Sequence, residues 1–166
     1  QRLVLRLLAE GEQVRILARS ASRAKPLLDK GAELVLGDVT DAAAVRDALR
    51  GVSVVYHLAG KLFAPGVAPS VYRDIHVEGT RTLLALCQDD MPLERFVHCS
   101  TTGVLGVTGE QPADEAAAYR PTNPYEQSKA EAEQLVRDAE GRGLPTVTLR
   151  PGLVYGPGDL HLLGLF

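Results

Sequence analysis

The chain has 166 residues, 45% of them apolar and 23% charged, with a formal net charge of −3. That describes one ordinary globular domain, too short for two large ones, with no basic field or basic–aromatic run to hold nucleic acid. No segment reaches the ~18–20 uninterrupted apolar residues of a membrane span, and Cys87 and Cys99 are too few for a disulfide framework or a metal cluster.

Residues Arg2 to Glu10 place Leu3, Val4, Leu7 and Leu8 at helical spacing, with Gly11 suited to end the helix. A β-rich run follows from Gln13 to Ala18. A helix is predicted over Arg23–Lys30, ending at Gly31, then a strand over Glu33–Leu36 closed by Gly37-Asp38-Val39. Thr40 or Asp41 can cap a helix over Ala42–Arg50, which Gly51 stops. Val52 to Leu58 is an apolar run of buried-strand length ending at Ala59-Gly60.

Lys61 to Pro69 holds two prolines and a glycine and is expected as loop, with Ser70 capping a long helix to about Cys87. The strand Arg95–Cys99 leads into Ser100-Thr101-Thr102-Gly103. A helix from about Tyr125 to Ala139, ended by Gly141 or Gly143, precedes the strand Thr146–Leu149, which runs into Arg150-Pro151-Gly152 and on to Gly158. Strands and helices alternate, and the strands are nearly continuous in apolar residues. The expected class is α/β, a parallel sheet covered by helices on both faces.

Tyr125 and Lys129 stand four apart, so a helix puts them on one face, one turn apart. An ammonium held that close favours phenolate over phenol, and a phenol tuned toward working pH can exchange a proton with a carbonyl or alcohol oxygen. The plain alternative is an exposed helix with an incidental pair. Around it, every strand ends in small or polar residues: Ala18-Arg19, Gly37-Asp38-Val39, Ala59-Gly60, Ser100-Thr101 and Pro151-Gly152. Ligands of open α/β sheets bind beyond such carboxyl ends. Each taken singly reads as a turn; the set reads as a site.

The ordered series resembles the extended short-chain dehydrogenases/reductases of the NAD-dependent epimerase/dehydratase type. It consists of Gly37 to Asp41, His57 to Gly60, His76 to Thr80, Ser100 to Gly106, Tyr125 to Lys129 and Arg150 to Gly156. The resemblance implies a Rossmann-type, doubly wound parallel sheet truncated at both ends, residues 1–166 forming one partial NAD(P)-binding domain. It implies Tyr125 as the acid/base and Lys129 as the group that lowers its pKa and binds the nicotinamide ribose. It puts the orienting hydroxyl on Thr101, with Ser100 the runner-up. Asp38 and Val39 would read the adenine, Leu58, Ala59 and Gly60 would lie along the cofactor, and Pro151, Gly152, Leu153 and Val154 would meet the nicotinamide.

At the end of the first strand Ala18 stands where an NAD enzyme usually carries an acid, and Arg19 follows, which favours NADP over NAD. The plain alternative for Arg19 and Arg23 is a pair of solvated helix-entry charges. Net reduction or dehydrogenation of a ketone or alcohol is the expected reaction. Nucleotide-sugar epimerisation or dehydration with recycled NAD is the alternative, and a non-catalytic nucleotide sensor or scaffold the rival. A small-molecule substrate, a cytoplasmic setting and, by analogy, a homodimer are implied.

The pattern departs from the family at the start, where no strand and no Gly-x-x-Gly-x-x-Gly turn precede the first helix. Gln1 is not an initiator methionine, and the chain reads as an internal fragment, inactive alone, of a longer enzyme. In the strand order 3-2-1-4-5-6 the absent strand is central, so the sheet's halves would lack their shared neighbour. His76 stands where the family commonly has Asn and is expected to satisfy a local hydrogen bond. Leu105 replaces a usual tyrosine. His57 and His98 read as structural, and a metal site built from His57, His76, His98 and His161 has no supporting spacing.

Overall fold

The structure is a computed structural model that describes residues 1–90, 93–110 and 112–156; Pro157, Gly158 and His161 lie outside the described residues. In order come α1 (Arg2–Ala9), β1 (Arg15–Ala18), α2 (Ala21–Leu28), β2 (Glu33–Leu36), α3 (Ala42–Leu49) and β3 (Val54–His57). Then follow α4 (Pro69–Tyr72), a π-helical segment (Arg73–Glu78), α5 (Gly79–Asp90), β4 (Arg95–Cys99), a 3₁₀ turn (Thr102–Leu105), α6 (Pro124–Gly141) and β5 (Thr146–Leu149).

Side-chain caps start three of the helices. Ser20 Oγ accepts the Arg23 N–H, Asp41 accepts from Ala43 and Ala44, and Asn123 accepts from Glu126 ahead of Pro124. The Ser20 cap starts α2 at Ala21, two residues before the sequence expectation. Ser70 caps nothing. The chain enters α4 at Pro69, whose fixed φ suits the first helical position, and Ala68 precedes it without a side-chain bond.

All ladders are parallel, and the strands fall into two sheets, β1-β2 and β3-β4-β5, with no ladder between them among the described residues. This is the division expected of a 3-2-1-4-5-6 order without its strand 1. One apolar core nevertheless spans both sheets. Leu17 of β1 and Val55 of β3 pack against Val39, Val45, Leu84, Phe96 and Val136. On β3-β4-β5, Phe96 and His98 are buried, while Tyr56, Val147 and Leu149 on the opposite face are exposed.

The face that α6 buries carries Ser128, Lys129, Ala132, Glu133, Val136 and Ala139, a stripe at helical spacing. Two of those residues are ionisable, and they stand one turn apart. A helix that buries charges on its core face is positioning them.

Candidate active site

Tyr125 lies in the first turn of α6, and Lys129 follows one turn later. Lys129 is 6% exposed and donates from Nζ to the carbonyl oxygen of Cys99 at 2.5 Å. Burial lowers the pKa of its ammonium, against the opposing pull of Cys99 and Glu133. Tyr125 is half-buried, and its phenol is pushed up from the ordinary tyrosine value, chiefly by burial and next by Cys99, while the Thr101 hydroxyl pulls it down. The expectation that Lys129 lowers this pKa therefore fails here. The ammonium is aimed at a β4 carbonyl, and desolvation of the phenol outweighs every downward influence.

Ser100 and Thr101 diverge. Thr101 Oγ1 accepts the Gly103 N–H at 3.2 Å, and its side chain acts on Tyr125. Ser100 is buried, and its Oγ has no partner of hydrogen-bonding geometry, though it stands near enough to help hold Glu133 ionised. Thr101 is the hydroxyl beside the tyrosine.

The ends of β4 and β5 are joined by Ser100 N–H to Leu149 O at 2.7 Å and Thr102 N–H to Pro151 O at 3.0 Å. That sets Pro151, Gly152, Leu153 and Val154 beside the Thr101 turn, and the last three are exposed. Leu58, Ala59 and Gly60 are exposed beyond β3, and a Cβ on Gly60 would lie 3.3 Å from His76 Nε2. At the other sheet, Arg19 Nε stands 3.5 Å from Asp38 Oδ2, while Asp38 Oδ1 accepts from Thr40 N–H and Oγ1–H at 3.1 and 3.0 Å. The Val39 side chain is in the core against Gly79, which leaves its backbone as the part that can face a ligand.

His57, His76 and His98 are buried and neutral. Burial depresses each, with Lys129 adding to the effect, taking His76 to about 4 and His98 to about 3 and holding His57 well below its usual value. His57 Nε2 pairs with Thr80 Oγ1 at 2.8 Å, whereas both ring nitrogens of His98 lack a partner. Among the described residues no group of His, Cys, Asp or Glu has metal-holding geometry.

Sequence reading missed Glu133. Buried one turn beyond Lys129, it accepts from Arg150 Nη2 at 2.6 Å and Nε at 3.0 Å, and from Tyr119 Oη at 2.8 Å, with Arg137 Nη2 at 3.6 Å. Burial alone would raise its pKa, but the bonds from Arg150 and Tyr119, with the Ser100 hydroxyl nearby, hold it below the ordinary carboxylate range. The guanidinium carbons of Arg137 and Arg150 stand 5.3 and 5.5 Å from the Tyr119 ring centroid. The loop before α6 is thereby fastened to α6 and to the end of β5. The hydrogen-bond partners of Glu133 lie 14 and 17 residues away along the chain, so no local motif announces them.

Over residues 1–164 the chain matches the NAD dependent epimerase/dehydratase family. It is 33% identical over 168 residues to the 4-hydroxy-2-methyl-3-oxo-4-farnesyl-3,4-dihydroquinoline-1-oxide ketoreductase of Stigmatella aurantiaca, covering 97% of this chain and 48% of that protein. It is 35% identical over 168 residues to the 2-alkyl-3-oxoalkanoate reductase of Stenotrophomonas maltophilia (strain K279a), covering 98% and 50%. It is similar in structure to the Thermus thermophilus UDP-glucose 4-epimerase solved with NAD, with a TM-score of 0.84 and 31% identity over 96% of this chain and 53% of that one. The chain spans about half the length of the curated relatives it matches. Parallel sheets with helices between their strands, and a family match along nearly every residue, lead to one conclusion: the chain belongs to the NAD-dependent epimerase/dehydratase family of extended short-chain dehydrogenases/reductases.

Proposed function

We propose that this chain is the cofactor-binding part of an NAD(P)-dependent reductase or dehydrogenase, with Tyr125 exchanging the proton at a ketone or alcohol oxygen. The observation that carries the reading is the placement of Tyr125 and Lys129 one turn apart on α6, with Lys129 bonded to the last carbonyl of β4 and the Thr101 side chain near enough to the phenol to pull its pKa down. The strand ends fit a dinucleotide. Gly60 and Gly152 present no side chain, Leu58, Leu153 and Val154 expose apolar surface, and the Arg19 side chain is mostly in solvent. When bound, the nicotinamide supplies or takes the hydride.

In the direction of reduction, Tyr125 gives its proton to the carbonyl oxygen as the carbon gains hydride, and the product is an alcohol. A phenol whose pKa is raised is fully protonated at neutral pH, which suits the acid role. Thr101 donates to the same oxygen and fixes its direction. On this reading Lys129, held at the Cys99 carbonyl, binds the ribose of the cofactor. Arg19, which follows β1 and is mostly in solvent beside Asp38, supports binding of a 2′-phosphate and so NADP.

The test is turnover by the full-length protein with NADPH and NADH against ketones. Tyr125→Phe is expected to lower kcat by about 10²- to 10⁴-fold with cofactor affinity unchanged. Wild-type turnover in that variant would end the acid/base reading. Arg19→Ala should weaken NADPH more than NADH. Activity on nucleotide sugars without net consumption of cofactor would favour the epimerase or dehydratase reading, for which the likeness to the Thermus thermophilus epimerase speaks.

A further inference from the structure

Tyr125 ends a hydrogen-bond chain in which every direction is forced. The Lys61 backbone N–H lies 3.0 Å from His76 Nε2, and because an amide N–H only donates, Nε2 must accept. His76 is 1% exposed and neutral, so its proton sits on Nδ1. Nδ1 is 2.7 Å from Ser128 Oγ, and Ser128 Oγ is 2.7 Å from the carbonyl oxygen of Tyr125. The carbonyl only accepts, so Ser128 spends its one proton there and receives from His76. The order is Lys61 to His76, His76 to Ser128, Ser128 to Tyr125.

Packing repeats the connection. The Tyr125 ring meets His76 edge-on at 5.5 Å and Tyr72 at 6.0 Å. Tyr72 Oη accepts the Ala64 N–H at 2.9 Å and donates to the Ala64 carbonyl at 3.2 Å, so the loop after β3 is held at two points. His76 belongs to the π-helical segment between α4 and α5, a wide turn of the kind that re-aims side chains at functional sites.

We propose that His76 is a positioning residue for the reaction at Tyr125: it ties the loop after β3 to the first turn of α6 and holds the phenol at a fixed distance from a cofactor lying along Leu58-Ala59-Gly60. This rests on the acid/base reading of Tyr125. An asparagine could replace the imidazole, since its amide oxygen can accept from Lys61 and its NH₂ can donate to Ser128. A leucine can do neither.

In the full-length protein, His76→Leu is expected to lower kcat by about 10- to 100-fold with KM changed less than about 3-fold. Ser128→Ala should repeat that loss, and His76→Asn should recover most of it. Wild-type kcat in His76→Leu overturns the proposal, as does no recovery in a His76→Asn protein of wild-type Tm. In the wild-type protein at pH 7, imidazole ¹⁵N NMR is expected to show Nδ1 protonated and Nε2 bare; the opposite tautomer overturns it without any enzyme assay. A fully active Tyr125→Phe sinks the acid/base reading itself, whereas an inactive Tyr125→Phe beside a fully active His76→Leu sinks only the positioning role.

Discussion

Lys129 Nζ donates to the Cys99 carbonyl oxygen at 2.5 Å, tying the second turn of α6 to the last residue of β4. The bond holds a cation where its charge adds to the burial that keeps three histidines neutral. The desolvation cost of that buried ammonium offsets much of what the bond contributes to stability. Lys129→Met is therefore expected to keep or raise Tm while kcat falls by at least about 100-fold. A large drop in Tm would show that Lys129 is mainly a structural strut.

Acid should loosen the protein through those same rings. Each folded value lies below the ordinary ~6.5, so the unfolded chain takes up protons first as pH falls. The stabilisation is whole above about 6.5 and is lost as pH drops toward about 4 for His76 and about 3 for His98. Urea unfolding of the full-length protein from pH 7.5 to 4.5 should show a loss on the order of 5 kcal/mol from His76 and His98 together. In His76→Asn the slope should be shallower; an unchanged slope would mean that His76 is not among the titrating groups.

Ser100 and Thr101 adjoin but should behave differently. Thr101→Val removes the hydroxyl that acts on Tyr125 and accepts the Gly103 N–H, and is expected to cost about 10- to 100-fold in kcat and about 1 kcal/mol of stability. Ser100→Ala removes a buried hydroxyl that lacks a geometric partner, so activity should fall less than about 3-fold and stability should hold or rise. Reversed sensitivities would exchange the two assignments.

Glu133→Gln should unsettle the fold more than the chemistry. It leaves the Arg150 guanidinium without its anion and weakens the hold on Tyr119. The expected loss is about 3 kcal/mol, read by denaturant unfolding.

Gly106 sits at φ +63, and a Cβ there would lie 2.0 Å from the Arg120 carbonyl oxygen. Gly106→Ala is expected to lower stability by more than about 2 kcal/mol. An unchanged midpoint would mean that this loop shifts without cost.

Much of this was legible in the sequence because the signals were local. The strands Arg95–Cys99 and Thr146–Leu149 have the bounds that their apolar runs suggest, and of the two candidate caps, Thr40 and Asp41, it is Asp41 that caps α3. Tyr125 and Lys129 come onto one face because four residues make about one helical turn. What escaped depended on partners remote in sequence or on burial. Nothing in Tyr-x-x-x-Lys tells that the ammonium turns to Cys99, or that desolvation carries the phenol upward. Val39 looks like a ligand contact because it ends a strand, yet the absence of a side chain on Gly79 lets it pack inward. His76 does satisfy a local bond, as its isolation in the sequence suggests, but its second bond, to Ser128, spans 52 residues.

The π-helical segment Arg73–Glu78 makes the helix one residue longer than a regular run over the same rise would need. Deleting a residue there, between Tyr72 and His76, would close the wide turn to a regular one and bring the two from four residues apart to three, shifting their side chains relative to each other at the Tyr125 ring. The surplus residue lets one helix serve two registers, the upstream one set by the Ala64 loop and the downstream one by the core around Leu84 and Cys87.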